Sequence, residues 1–164
     1  MPTFYEDVIK NDARFNSVNR VADPGLVEPV TRAAIASILN DARALGIELM
    51  IFETYRSQAR QQELFNQGAS KLRVVGVHHY GLACDLVKVA AGEPSWKGNF
   101  SFLGRLAHDH RRIWGGDWVP HTFIDAVHVQ RCAVSLQPAL FQGTFYPDGQ
   151  YDPYAAAARA TIAV

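Results

Sequence analysis

Two short segments of the chain concentrate side chains that could perform chemistry, and both contain histidine. In the first, His78 and Asp85 are seven residues apart, an odd separation that would place them on opposite faces of an unbroken strand. Gly81 lies between them and permits a bend that would bring both side chains to one point. The segment therefore predicts two polar groups that converge across a turn.

The second segment, around His128, supplies the remaining groups. In a strand His128 and Gln130 share one face, whereas Asp125 is out of phase and projects from the preceding loop. The imidazoles of His78 and His128 and the carboxylate of Asp85 would satisfy tetrahedral zinc and leave its fourth position for water. Asp125 lies outside this set and could take a proton from that water. This combination predicts metal-assisted hydrolysis.

Hydrophobic periodicity and capping residues indicate the elements that must position these side chains. Apolar residues at helical spacing predict helices over residues 30–45, 58–67 and 101–113. Pro29 and Gly46 suit the two ends of the first helix, and Ser57 and Ser101 suit the N-caps of the other two. Branched and aromatic runs predict strands over 47–54, within 81–89 and over 127–134.

The order of these elements predicts the fold class. Helices and strands are mixed without a repeating strand-helix unit, which favours an α+β fold. We expect a small antiparallel sheet that carries the metal site and is flanked by helices. The paired glycines within residues 114–118 predict a turn. We expect a loop over residues 145–154 and a short helix or frayed tail over residues 155–160. No repeat or linker divides the chain, so we expect one domain, 1–164, with a motif-bearing core at about 30–132 and a tail at 145–164.

These segments resemble the motifs of the zinc cell-wall peptidases of the D-alanyl-D-alanine carboxypeptidase type, especially the L-alanyl-D-glutamate endopeptidases among phage endolysins. The family pattern is S-x-H-x-x-G-x-A-x-D, followed by D-x-x-H with E or Q two positions further on. The matching residues are His78, Gly81, Ala83, Asp85, Asp125, His128 and Gln130. Residues 55–57 and 60–68 resemble the family's arginine-bearing segment, and 114–118 its W-G-G-D-W stretch.

The resemblance implies a role for each matching residue. His78, Asp85 and His128 would hold zinc, Asp125 would be the general base, and Arg56 would steady the substrate's carbonyl or carboxylate. The implied fold is that of the hedgehog and D-alanyl-D-alanine peptidase group, and the implied substrate is the peptidoglycan stem peptide. The sequence departs from the pattern at Gly76, where the family has serine, but keeps every implied metal ligand.

Composition sets limits on other functions. Of 164 residues, 16 are basic and 16 acidic, so the chain lacks the basic excess of a general nucleic-acid binder. No apolar run is long enough to span a membrane, and residues 1–7 do not resemble a secretory signal. We therefore expect a monomer that is synthesised in the cytoplasm and reaches the periplasm or cell wall through another factor. Cys84 and Cys132 are expected on opposite faces of the sheet as free thiols.

Three alternatives to an L-alanyl-D-glutamate endopeptidase stay open at this point. A D-alanyl-D-alanine carboxypeptidase or dipeptidase would use the same metal ligands. A catalytically silent zinc-bearing binding module is another possibility, because hedgehog signalling domains resemble this family. Such a module would need neither Asp125 as a base nor Arg56 as an oxyanion partner. A structural phage or secretion-system component would function without zinc.

Overall fold

The computed structural model describes residues 3–71, 76–119 and 123–155. It contains four α-helices, which are α1 (Pro29–Ala44), α2 (Gln58–Asn66), α3 (Ser101–Asp109) and α4 (Gln137–Phe141). Its five strands are β1 (Leu49–Glu53), β2 (Ala83–Ala90), β3 (Glu93–Ser95), β4 (Ile113–Trp114) and β5 (His128–Gln130). None of the helices in this described part is long and apolar enough to cross a membrane.

The strands form one antiparallel sheet in the order β1-β2-β5-β4, and β3 pairs with the far end of β2. Strand β2 is central, because Asp85 lies opposite Glu53 on one side and opposite His128 on the other. Paired residues in an antiparallel sheet point to the same face. The predicted α+β fold with a small antiparallel sheet is confirmed.

Helices α1 and α3 cover one face of this sheet. Their buried residues pack against the alternate positions of β2 and β5 that include Cys84, Leu86 and Val129. Ile38 and Leu103 are completely buried in this core, and burial of such a side chain contributes roughly 1.5–3 kcal/mol. Because this face is covered, Asp85 and His128 must point to the opposite, open face.

The ends of several elements differ from the sequence prediction. Ser57 caps α2 as predicted, with its hydroxyl accepting a hydrogen bond from the Arg60 amide at 3.0 Å. Ser101 is instead the first residue of α3, and Phe100 occupies the N-cap position. Helix α3 ends at Asp109 rather than 113, since Arg111 adopts a left-handed φ of 56° before β4 begins.

The predicted strand at 127–134 is also shorter than expected. Only His128–Gln130 forms β5, because its partner on β2 runs out at Ala83. Cys132 lies beyond the strand in a second apolar cluster with Tyr80 and Leu140, while Cys84 lies in the core beneath α1 and α3. Both thiols are free, as predicted, and both are buried.

Candidate metal centre

A turn at Gly81 brings His78 next to Asp85. His78 lies in a short 3-10 helix, Val77–Tyr80, which ends at Gly81 in the left-handed conformation with φ 67°. A Cβ on Gly81 would also lie 3.0 Å from the carbonyl oxygen of Leu26 and 3.1 Å from the amide of Glu28. Both observations require glycine. The chain then enters β2, so the odd spacing of the two side chains is absorbed by the turn.

Three potential ligand atoms converge on the open face of the sheet. The Oδ1 atom of Asp85 lies 3.4 Å from His78 Nε2 and 2.9 Å from His128 Nδ1. All three atoms lie within 4.8 Å of one another, and the three residues are buried. Within residues 3–71, 76–119 and 123–155 this is the one such cluster of His, Cys, Asp and Glu. Two imidazoles and a carboxylate at this spacing fit a tetrahedral metal ion with one open position.

The ring of His78 is oriented by a backbone carbonyl. Its Nδ1 donates to the Thr54 carbonyl oxygen at 2.7 Å, so Nε2 is the ring nitrogen that faces Asp85. This Nε2 is buried and has no hydrogen-bond partner among the described residues. A buried polar atom without a partner is costly unless a ligand satisfies it. A metal ion bound to His78 Nε2 would satisfy this buried atom.

Gln130 orients the second histidine ring. Its amide nitrogen donates to the Cys132 carbonyl, which leaves its Oε1 to accept from His128 Nε2 at 2.8 Å. The other ring nitrogen, Nδ1, is thereby directed at Asp85. The amide of Gln130 therefore orients the ring of His128.

Arg56 holds the carboxylate of Asp85 in position. Its Nη2 donates to Asp85 Oδ2 at 3.1 Å and to Glu53 Oε1 at 2.7 Å, and its Nη1 donates to Gln61 Oε1 at 3.3 Å. Oδ2 of Asp85 is therefore occupied, and Oδ1 faces the two imidazoles. The structure places Arg56 beside the metal site, where it supports Asp85 directly.

The charges in the cluster reinforce one another. Burial alone would raise the pKa of Asp85, but the attraction of His78 and the hydrogen bond from His128 hold that pKa well below its usual value. Burial would likewise lower the pKa of His128, but its hydrogen bond and attraction to Asp85 raise it. A bound cation would replace the proton that His128 shares with Asp85.

Asp125 lies beside the ligands without belonging to the cluster. Burial, and then the negative charge of Asp85, raise the pKa of Asp125. Its backbone amide donates to the Gly115 carbonyl at 3.0 Å, and its own carbonyl accepts from the His128 amide at 3.2 Å. The loop that carries Asp125 is therefore tied both to the glycine turn and to the start of β5.

The glycines of residues 114–116 allow this close packing. A Cβ on Gly115 would lie 2.3 Å from the Asp125 carbonyl oxygen and 3.1 Å from the Cβ of His128. A Cβ on Gly116 would lie 2.3 Å from the ring of Trp114, whose indole nitrogen donates to the Ala126 carbonyl at 2.8 Å. The W-G-G-D-W segment thus fixes the position of the Asp125 loop.

We expect Gly115→Ala to lower both stability and any hydrolytic activity. The new methyl group would meet backbone atoms, which cannot move aside as a flexible side chain can, and overpacking of this kind costs about 1–3 kcal/mol. Thermal unfolding and substrate turnover measure the two effects. Gly149→Ala is the matched control, because a Cβ there meets nothing within 4 Å. Wild-type stability and turnover in Gly115→Ala would contradict this explanation.

The metal cluster lies where two clefts meet. His78 and His128 line a cleft of about 670 Å³ that is walled by Trp118. Asp85 lines a second cleft of about 620 Å³. Both clefts share four residues, which are Arg56, Ala69, Phe123 and Asp125. A chain-like ligand could therefore extend on both sides of the metal site.

The sequence and the fold have counterparts among known proteins. The L-alanyl-D-glutamate peptidase of Listeria phage A118 is 32% identical over 118 residues, which is 70% of this chain and 39% of that protein. The crystal structure of Serratia marcescens L-Ala D-Glu endopeptidase ChiX is similar with a TM-score of 0.54 and 27% identity, covering 75% of this chain and 96% of that one. In sequence and in fold the chain is therefore similar to peptidases that act on the bacterial cell wall.

Two further comparisons bear on this relationship. The vancomycin-resistance D,D-pentapeptidase VanY, solved with Zn(II), shares the fold at a TM-score of 0.51 and 15% identity, over 71% of this chain and 78% of that one. No family model matches the chain. The chain spans about 39% of the length of the phage relative that it matches.

The sequence did not indicate which residues hold His78 and Arg56 in position. Thr54 acts through its carbonyl oxygen, for which side-chain chemistry gives no indication. Glu53 is only 1% exposed and binds both Arg56 and Arg60. The one available indication was its position at the end of an apolar strand, three residues before Arg56. His79, by contrast, turns away from the cluster and accepts from the Gly76 amide at 3.1 Å.

Proposed function

We propose that this chain is a zinc-dependent peptidase that cleaves the L-alanyl-D-glutamate bond of peptidoglycan stem peptides. The observation that carries the proposal is the set of three oriented ligand atoms with Asp125 beside it, at the junction of two clefts. The phage and Serratia relatives have this activity in their names. His78, Asp85 and His128 are the proposed zinc ligands.

Each group at the site has a task in this hydrolysis. Zinc, when bound, polarises the scissile carbonyl and lowers the pKa of a coordinated water. Asp125 would accept a proton from the attacking water and pass it to the leaving amine. Arg56 fixes Asp85 through Nη2 and places its guanidinium at the wall of both clefts, where it stabilises the developing oxyanion. All five side chains come from one polypeptide, and we propose that the enzyme acts as a monomer in the periplasm or cell wall.

The paired clefts favour an endopeptidase over a carboxypeptidase. An endopeptidase must hold peptide on both sides of the metal, whereas a carboxypeptidase closes one side around a terminal carboxylate. The second candidate, a D-alanyl-D-alanine carboxypeptidase, is favoured by Lys71, an exposed cation that lines the first cleft. Lys71 could anchor such a carboxylate.

A stem peptide with an amidated C-terminus separates the two candidates. The endopeptidase cleaves it at nearly the rate of the free-acid peptide, because the scissile bond is distant from the terminus. A carboxypeptidase loses its anchor and most of its activity. Loss of cleavage on amidation would therefore reject the endopeptidase proposal.

Arg56→Lys is expected to lower kcat by about 10–100-fold even at saturating zinc, the usual scale for groups that support metal ligands. Lysine keeps the charge but cannot bridge Asp85, Glu53 and Gln61 simultaneously. Steady-state kinetics over a range of zinc concentrations measures the effect. Arg14→Lys is the matched control, since Arg14 also contacts a carboxylate, that of Asp12, through Nε and Nη2. An unchanged kcat with a raised KM would assign Arg56 to substrate anchoring instead.

A further inference from the structure

Trp96 is an unusually exposed aromatic residue in the second cleft. Half of its surface is accessible, and its ring meets the edge of Phe52 at a centroid distance of 4.7 Å and an angle of 83°. Phe52 also lines the cleft, and the guanidinium of Arg20 lies over its ring at 4.2 Å. Contacts on one side thus hold the indole in place while much of its surface stays open to a ligand.

The register of the sheet places this indole close to the metal cluster. Trp96 follows Ser95, which pairs with Lys88, so a continuation of this register would bring Trp96 beside Val87. Val87 is two residues beyond Asp85 on the same face of β2, a step of about 7 Å. Asp85 and Trp96 both line the second cleft.

A charged side chain also lines this cleft. Arg60 lines the same cleft and is held by one hydrogen bond, from its Nε to Glu53 Oε2 at 2.8 Å. No hydrogen bond joins its two Nη groups to another described residue, so they can donate to a ligand. A flat apolar surface with neighbouring hydrogen-bond donors is suited to a sugar ring, which has apolar C–H faces and a rim of oxygen atoms.

We propose that Trp96, braced by Phe52, is a carbohydrate subsite that receives the N-acetylmuramoyl residue of the substrate. This inference rests on the proposed function, because it takes the L-alanyl-D-glutamate bond as the one that is cut. In peptidoglycan the L-alanine is joined through a lactyl group to that sugar. The alanyl and lactyl units span about two residue lengths, or roughly 7 Å, before the sugar begins. This span matches the step from Asp85 to the level of Trp96.

Two substrates with the same peptide test this subsite. One carries N-acetylmuramoyl on L-alanine, and the other carries only an acetyl group there. For the wild type we expect kcat/KM to be about tenfold higher with the sugar, the scale of a well-placed tryptophan contact. Trp96→Leu should lose that preference while cleaving the acetyl peptide at the wild-type rate, and Trp96→Phe should retain part of it. Phe65→Leu, at another exposed aromatic residue, should keep the preference fully.

The outcomes separate this inference from the proposed function. Absence of cleavage of both substrates by the zinc-loaded wild type would reject the proposed function. Cleavage of both at equal rates, or an equal loss on both in Trp96→Leu, would reject the sugar subsite alone. Titration of the wild-type protein with N-acetylmuramoyl-L-alanine measures sugar binding directly and does not depend on whether a variant folds. We expect the Trp96 indole NMR resonance to shift, and an unmoved resonance would overturn the inference.

Discussion

Replacing His78 or His128 with alanine abolishes zinc retention and peptide hydrolysis together. Each ring supplies one of three ligand atoms, and the remaining pair cannot hold the ion in a site that needs three protein ligands. The groups that orient the rings, the Thr54 carbonyl oxygen and Gln130 Oε1, would each lose the ring nitrogen that donates to them. Metal analysis should find about one zinc per wild-type chain and almost none in either variant.

His110→Ala is the control for this result. His110 bonds Asp41 through Nε2 at 2.6 Å and lines neither cleft, so the variant should keep both zinc and activity. Hydrolysis at the wild-type rate by a metal-free His78→Ala preparation would contradict the assignment of the centre.

Asp125→Asn should keep zinc bound while kcat falls by about 10²–10⁴-fold, the range of general acid–base contributions. Asparagine preserves the shape of the side chain and removes its ability to accept a proton. The backbone bonds that fix the loop, between Asp125 and Gly115 and between Asp125 and His128, are retained. Zinc content and turnover should be measured on the same preparation.

Asp117→Asn provides a matched change of another carboxylate in the first cleft. Asp117 is about half-exposed and is bonded to His108, so its replacement should leave most of the activity. If Asp125→Asn instead lost zinc and regained full activity when zinc was added, Asp125 would be a ligand or a support, and the base would have to be another group.

The convergence of His78, Asp85 and His128 could be predicted from patterns within the two segments that carry them. The spacing of His78 and Asp85 required a bend, and Gly81 was the residue able to supply it. The two-residue alternation of a strand predicted that His128 and Gln130 share one face. In the structure the strand is short, but it covers both residues.

The parts that were not predicted depend on contacts between distant segments. The carbonyl of Thr54 meets His78 only after β1 and β2 have paired, and no pattern in either segment indicates this. Strands β3 and β4 are three and two residues long, too short to show a period of two. The tight contact of Gly115 with the Asp125 loop likewise arises only in the folded chain.

Two further sequence predictions are still open. The division into a motif-bearing core at about 30–132 and a tail at 145–164 remains a prediction. The predicted short helix at 155–160 lies, apart from its first residue, outside the described part of the chain. His121, to which no role is assigned, lies outside it as well.

The most direct test of the proposed activity is the mass of the fragments released from one defined substrate. The zinc-loaded protein is incubated with an N-acetylmuramoyl pentapeptide, and the products are weighed by mass spectrometry. Cleavage between L-alanine and D-glutamate predicts N-acetylmuramoyl-L-alanine and a tetrapeptide that begins with D-glutamate, with no cleavage after zinc is removed. Release of D-alanine alone, or an intact substrate in the presence of zinc, would contradict the proposed function.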